Sequence, residues 1–285
     1  MLIQRIKSSF AMLLVFILTF FFLDSIFFEL LVLILGGFLL FELSRILKLK
    51  GVHNTFYWVL ASIPVITHFL LSLSLSFSFF NSFLSSYAPF LRHQIFEPYI
   101  IILVPFSLVF WFLIVPFDLA YKKISSNAII KIFYGSIYIT PMLLTTMFIF
   151  WADKKFLLII ILMIWLADIG AYFCGKKFGK IKIAKNISPG KTLEGFLGGF
   201  ICNIIFILLL FIYLKINLFE GLLLALIITA LSLYGDIYES FLKRRANVKD
   251  SGSMIPGHGG FLDRMDSFCP TIPILYILFE IFRYI

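Results

Sequence analysis

Charge is scarce in this chain. Only 14% of its 285 residues are Asp, Glu, Lys or Arg, whereas a soluble globular domain carries about a quarter. That shortage, with a mean hydropathy of +1.05, excludes a soluble domain. The chain also lacks the alternation of apolar and polar residues that a membrane β-barrel needs. Its apolar residues run on without a break, as in FLLIIILMIWL and CNIIFILLLFIYL. In lipid such runs are helices, because a helix satisfies its own backbone polar groups. Cysteine is rare: Cys174, Cys202 and Cys269 lie in or beside apolar runs, odd in number and without metal-ligand spacing. They read as small buried hydrophobes. Arg5 and Lys7 precede an apolar stretch as in a signal peptide. No small-residue cleavage site follows, so a retained first span is expected. No internal repeat is present, and the serine-rich stretch 72–86 carries no chemistry. His53, His68 and His93 are scattered singly and read as packing residues.

A membrane span takes roughly 20 apolar residues. The pattern predicts an all-α polytopic membrane protein of about nine spans: 8–23, 26–43, 56–80, 98–117, 128–150, 156–175, 193–213, 217–236 and 267–284. The first two are separated only by Asp24-Ser25. One helix across both would be about 50 Å long, well over a hydrocarbon core of about 30 Å, so a tight hairpin is expected. Nine spans put 19 of the 24 Lys and Arg residues on one side and 5 on the other. The positive-inside rule then makes the N-terminus cytoplasmic and leaves the C-terminus outside. Merging the first two spans would misplace only Arg5 and Lys7, so charge does not decide whether 8–43 crosses once or twice. We divide the chain into an N-terminal set of about five spans, 1–150, whose role the sequence leaves open, and a C-terminal region, 151–285. Its polar loops 176–192 and 237–266 fall on the basic side. That face meets nucleotides, Mg²⁺ and anionic lipid headgroups, which a net charge of +9 attracts.

Three places carry chemistry. Asp168 lies inside a span beside Gly170 and Ala171. A carboxylate at that depth is expensive and faces a bundle interior or a wet cavity, and small neighbours allow close helix packing. An interhelical hydrogen bond is the structural alternative. In NISPGKTLEG, 186–195, Pro189-Gly190 is expected to turn the chain. Ser188, Lys191, Thr192 and the free N–H groups of the following helix would make an anion site. The glycine spacing is not that of a Walker loop, and a plain capped loop fits the pattern equally well. The third place is YGDIYESFLKRRANVKDSGSMIPGHGGFLDRMD, 234–266. Asp236, Glu239 and Lys243 share one helix face. A glycine-rich loop follows, able to bring N–H groups close to phosphate. Asp263 and Asp266 then stand three apart on the start of the last span, where paired carboxylates suit a hard divalent cation.

At these residues the sequence resembles the phosphatidate cytidylyltransferases, or CDP-diacylglycerol synthases. The signature of that family is met by Ser240, Leu242, Lys243-Arg244, Lys249-Asp250, Gly252, Pro256, His258-Gly259-Gly260, Phe261, Asp263-Arg264, Met265 and Asp266. Asp168 to Lys180 and Ser188 to Gly195 look like its preceding motifs. The likeness covers about 165–270, whereas 1–150 matches only as a set of apolar spans. The resemblance implies that CTP and phosphatidate react to give CDP-diacylglycerol and pyrophosphate with Mg²⁺. It further implies a multi-pass homodimer in the bacterial inner membrane, active on the cytoplasmic side among membrane lipids, with no nucleic-acid partner. The family's metal ligands would fall on Asp236, Asp263 and Asp266. A second, monovalent cation belongs to the family pattern, and nothing in this sequence bears on it.

Both reactants are anions. Two unit charges 4 Å apart repel by about 4 kcal/mol at an effective dielectric of 20, so catalysis must first cancel that repulsion. No strong base is required, because a phosphate monoester is largely ionised at pH 7. The residues expected to carry the reaction are Asp236, Asp263, Asp266, Lys243 and His258. Ser188, Lys191, Thr192, Arg244, Lys249, Arg264 and Asp168 would bind substrate. Two other readings stay open at this level. A CTP-dependent lipid kinase would need a proton acceptor such as His258 or Asp168. An anion transporter would show paired broken spans, and none is seen.

Overall fold

The computed structural model describes residues 2–76, 88–214, 217–257 and 259–283. His258 and Lys215 lie outside the described residues, as does most of the serine-rich stretch. The chain folds as helices and one short ribbon: α1 Leu2–Ile17, α2 Ser25–Ile46, α3 Gly51–Ser76, α4 Ala88–Val109 and α5 Val115–Tyr121. After these come α6 Ala128–Ala152, α7 Lys154–Phe178, strands β1 Lys182–Ala184 and β2 Ser188–Thr192, then α8 Leu193–Leu214 and α9 Leu218–Ala246. The short α10 Leu262–Met265 and the final α11 Phe268–Arg283 close the chain. π-helical turns extend α1 over Leu18–Phe22 and join α4 to α5 over Phe110–Ile114.

The all-α, multi-helix membrane architecture expected from composition is what folds. The number of spans differs. Among the described residues six helices are long and apolar enough to cross a membrane: Ser25–Ile46, Tyr99–Tyr121, Ala128–Ala152, Lys154–Phe178, Leu193–Ile212 and Leu218–Ala246. The remaining three of the nine expected spans fall on the shorter apolar stretch Phe10–Phe22, on α3, and on α11, which has only 16 residues.

Helix ends follow local chemistry. Asn127, Asp153 and Asn217 cap α6, α7 and α9 by accepting from the backbone N–H two residues on, and Asp153 accepts a second from Phe156. Asn247 ends α9 in the left-handed conformation, with its N–H returned to Arg244 and Lys243. Between α1 and α2 the backbone turns extended at Leu23 and Asp24. The Phe20 and Phe28 rings then meet edge-on at 5.5 Å; in an unbroken helix eight residues would span about 12 Å. Ser8, near the start of α1, and Glu42, near the end of α2, both reach loop 249–262. The two helices therefore run antiparallel, as the expected hairpin requires.

Helix α6 is the hub. Its spanning window is 72% buried, against 28% for α8, and it packs on α2, α3, α4, α7 and α11. Helices α7 and α8 form the closest pair. A Cβ on Gly170 would lie 2.7 Å from the Gly198 carbonyl oxygen, and one on Gly199 would lie 2.6 Å from that of Ala167. Small residues at these points let the two backbones touch, which is how membrane helices gain packing energy without a hydrophobic drive. The outer face of α8 keeps Leu197, Ile201, Ile205 and Leu208 exposed, as a lipid-facing surface would.

Candidate active site

The α7–α8 contact fixes the ribbon between them. Chain reversal occurs at residues 185–187, not at Pro189-Gly190, which instead lie within β2. Two strands alone are both edges, so a proline without an N–H breaks no ladder there. The start of α8 also differs from the expected open anion site. Leu193 donates its N–H to the Ile181 carbonyl, and Gly195 donates to the Thr192 hydroxyl. Thr192 is buried and caps the helix, while Glu194 accepts from the Lys180 and Ile181 N–H groups. Ser188 is half-buried, paired across the ribbon with Ala184. The residue the ribbon delivers is Lys191, whose ammonium forms an ion pair with Asp236 of α9.

Around that pair two further carboxylates converge from other elements. Asp168 of α7 accepts a hydrogen bond of 2.9 Å from Ser232, one turn before Asp236 on α9. Asp266, between α10 and α11, lies close enough to feel the charges of Asp236, Asp168 and Lys191. Gly235 makes that approach possible. A Cβ there would strike the Asp266 carbonyl and sit 3.0 Å from Pro270. Asp168 is exposed. Lys191 is held above the ordinary lysine pKa. Burial pulls it down, and Asp236, with Asp266 and Asp168 behind it, pulls it up by more.

A second group lies beside the first. Lys243 donates to Asp263 at 2.6 Å and pairs with Glu239, one turn back on α9, at 2.5 Å. Asp263 also accepts from the Gly260 N–H at 2.9 Å and the Ser251 N–H at 3.0 Å. Burial pushes its carboxyl up, but Lys243 and these N–H groups outweigh burial and settle it below its ordinary 3.8. Spacing of three residues had suggested one shared face for Asp263 and Asp266. The backbone stays helical through Asp266, and within that turn the two carboxylates take different partners, with Glu239 near enough to feel the charge of both.

Arg244 is exposed and donates to the Val248 carbonyl at 3.3 Å, while Lys249 is exposed on the loop and Arg264 on α10. These basic groups stand at the same end of the bundle as the ribbon. Sequence reasoning overlooked Glu42 of α2 and Ser251, which are joined to this loop by hydrogen bonds. Glu42 was findable by the rule that singled out Asp168, a lone carboxylate within an apolar run; its partners were not.

Magnesium takes hard oxygen donors, usually one or two carboxylates completed by water and substrate phosphate. Asp236 and Asp266 fit that chemistry, and the Lys191 ammonium already marks their neighbourhood as one that holds positive charge. Asp263 is engaged by Lys243 and the loop. Among the described residues no three His, Cys, Asp or Glu side chains are gathered so as to hold a metal by themselves.

A family model described as "Cytidylyltransferase family" matches residues 3–282. The phosphatidate cytidylyltransferase of Staphylococcus haemolyticus is 46% identical over 125 residues, 43% of this chain and 48% of its own length. That of Staphylococcus epidermidis is 44% identical over 126 residues, 44% of this chain and 48% of its own length. That of Staphylococcus aureus (strain COL) is 46% identical over 125 residues, with 43% and 48% covered. The chain thus spans about half the length of the curated relatives it matches.

Proposed function

The chain belongs to the cytidylyltransferase family, and from that premise we propose that it transfers the cytidylyl group of CTP to phosphatidate. The products are CDP-diacylglycerol and pyrophosphate. The observation that carries this reading is the gathering of Lys191, Asp236, Asp266 and Asp168 from separate elements, beside the Lys243–Asp263 pair and a glycine-rich loop. Likeness to relatives named phosphatidate cytidylyltransferase supports the same substrate.

The nucleophile is a phosphate oxygen of the lipid, already ionised at neutral pH. It attacks the α-phosphorus of CTP and pyrophosphate leaves. Lys191, Lys243, Arg244, Lys249 and Arg264 lower the repulsion between the two anions and hold charge on the leaving group. Asp236 and Asp266 would hold Mg²⁺, which when bound would supply further positive charge there. Asp263 keeps Lys243 and the loop in register with that site. Lys191 must leave Asp236 at least in part when phosphate arrives, since one ammonium cannot serve both fully. We assign the site to the cytoplasmic face of a bacterial inner membrane, on the 19-to-5 distribution of basic residues, and the working unit to a homodimer. The N-terminal region 1–150 frames the lipid's approach.

The test is a turnover assay on purified protein in lipid–detergent micelles. Label from α-³²P CTP should enter chloroform-soluble lipid only when phosphatidate and Mg²⁺ are present, and γ-³²P should leave as pyrophosphate. Entry of γ-³²P into lipid would mean a kinase, and no CTP turnover with phosphatidate would overturn the reading.

A further inference from the structure

The N-terminal region does more than surround the site. Glu42, on a membrane-spanning helix, is fully buried, and its carboxylate points into the loop that carries the family signature. Oε2 accepts from the Ser251 hydroxyl at 2.8 Å and from the Leu262 N–H at 2.8 Å, and Oε1 accepts from the Phe261 N–H at 3.1 Å. One turn earlier on the same helix, Phe38 stacks on Phe261 with ring centroids 4.8 Å apart. Two glycines of the signature make room at this contact. A Cβ on Gly252 would lie 3.0 Å from the Glu42 Cδ, with only Glu42 atoms nearest, and one on Gly260 would strike the Ser251 hydroxyl first and lie 2.5 Å from the Glu42 Oε1.

The contact runs on into the site. The Ser251 hydroxyl that donates to Glu42 also accepts from the Asp263 N–H at 3.3 Å, while the Ser251 N–H donates to the Asp263 carboxylate. Asp263 in turn holds Lys243. A chain of bonds therefore links α2 to Lys243. A buried carboxylate is tolerated only where donors replace its water, and here all three donors come from one loop. Only Glu fits this place. Glutamine would turn an N–H₂ group toward a backbone N–H that needs an acceptor, and aspartate is one carbon too short.

We propose that Glu42 is a positioning residue for the transfer reaction, setting loop 249–262 so that Asp263 and Lys243 stand against the α9 carboxylates. The proposal rests on the cytidylyl-transfer reading for its kinetic arm alone. Hydrogen–deuterium exchange of the full-length protein in detergent, with no substrate, provides the other arm. In Glu42→Gln, amides of 251–262 should exchange about tenfold faster or more, from loss of charge-assisted bonds, while α6 and α9 keep wild-type protection. With CTP and phosphatidate, kcat should fall by roughly 10- to 100-fold and KM for CTP should stay within about threefold. Should Glu42→Gln not accumulate, Gly252→Ala displaces the same carboxylate with every partner present, and should give the same loop exchange. In a Glu42→Ala background the added effect of Gly252→Ala should vanish, since the atoms it strikes are gone. Unchanged loop exchange in Glu42→Gln, equal loss of protection across all helices, or additive effects in the Gly252 cycle would each overturn the proposal. If wild type fails to make CDP-lipid, the functional reading falls, and the exchange result still decides the part played by Glu42.

Discussion

Replacing Asp263 by asparagine changes one oxygen to an N–H₂ group, and the geometry leaves that group nowhere to go. One carboxylate oxygen faces Lys243 at 2.6 Å, and the other faces the Gly260 and Ser251 N–H groups at 2.9 and 3.0 Å. Either orientation of the amide sets a donor against a donor. A hydrogen bond to a charged group contributes about 1.5–3 kcal/mol, and a buried donor left without an acceptor adds about 1–3 kcal/mol. Partial relaxation of the loop brings the total to about 2–4 kcal/mol. At 1.36 kcal/mol per tenfold, Asp263→Asn should lower kcat/KM by roughly 30- to 1,000-fold. The assay is incorporation of α-³²P from CTP into phosphatidate-derived lipid, normalised to folded protein by size-exclusion chromatography in detergent. An Mg²⁺ titration separates two roles for the residue. A loop anchor lowers the rate at every Mg²⁺ concentration, whereas a direct ligand moves the half-saturating concentration upward. A near wild-type rate at normal protein level would refute both the anchoring and the ligand roles.

Lys191→Met should abolish measurable transfer, and because breaking a half-buried pair leaves an uncompensated carboxylate, it should also lower stability by about 1–3 kcal/mol, read by thermal unfolding in detergent. Gly199→Ala places a methyl group 2.6 Å from the Ala167 carbonyl; overpacking of about 1–3 kcal/mol should lower the melting temperature, and an unchanged melting temperature would mean that α7 and α8 are not so tightly joined. The Asp263 carboxyl, folded, titrates below its ordinary 3.8, so its contribution to stability is complete above about pH 4 and disappears as pH falls through the folded value; a stability profile from pH 6 to 3 should drop less steeply in Asp263→Asn than in wild type. Removal of divalent ions with EDTA should stop turnover, and Mg²⁺ but not Na⁺ should restore it, as expected where two carboxylates and phosphate oxygens share a cation.

Much of the architecture was legible because membrane helices are written in composition. Apolar runs located every long helix, and Asp24-Ser25 marked the α1–α2 reversal. Asn127, Asp153 and Asn217 cap helix starts by local chemistry, although the spans were placed on hydropathy alone. The site was legible where its residues are local. Glu239 and Lys243 were expected on one helix face and pair there, since four residues on a helix are neighbours in any context. The hairpin at 182–192 was misjudged because a proline-glycine pair signals a turn locally, while the register of β2 is set by how α7 and α8 pack.

By itself the amino-acid order determined that this chain is a bundle of membrane helices, and in which loops its charges and glycines cluster. These properties depend on periodicity, charge and short motifs, which act over a few residues. Only the tertiary structure decided which partners Asp263 and Asp266 take, that Lys191 crosses to Asp236, and that Glu42 reaches a loop more than 200 residues away. Such contacts depend on where glycines let backbones meet, as at Gly170 and Gly235, or let a side chain reach the backbone, as at Gly252. The distance between two side chains on different helices is a property of packing, and no local pattern encodes it.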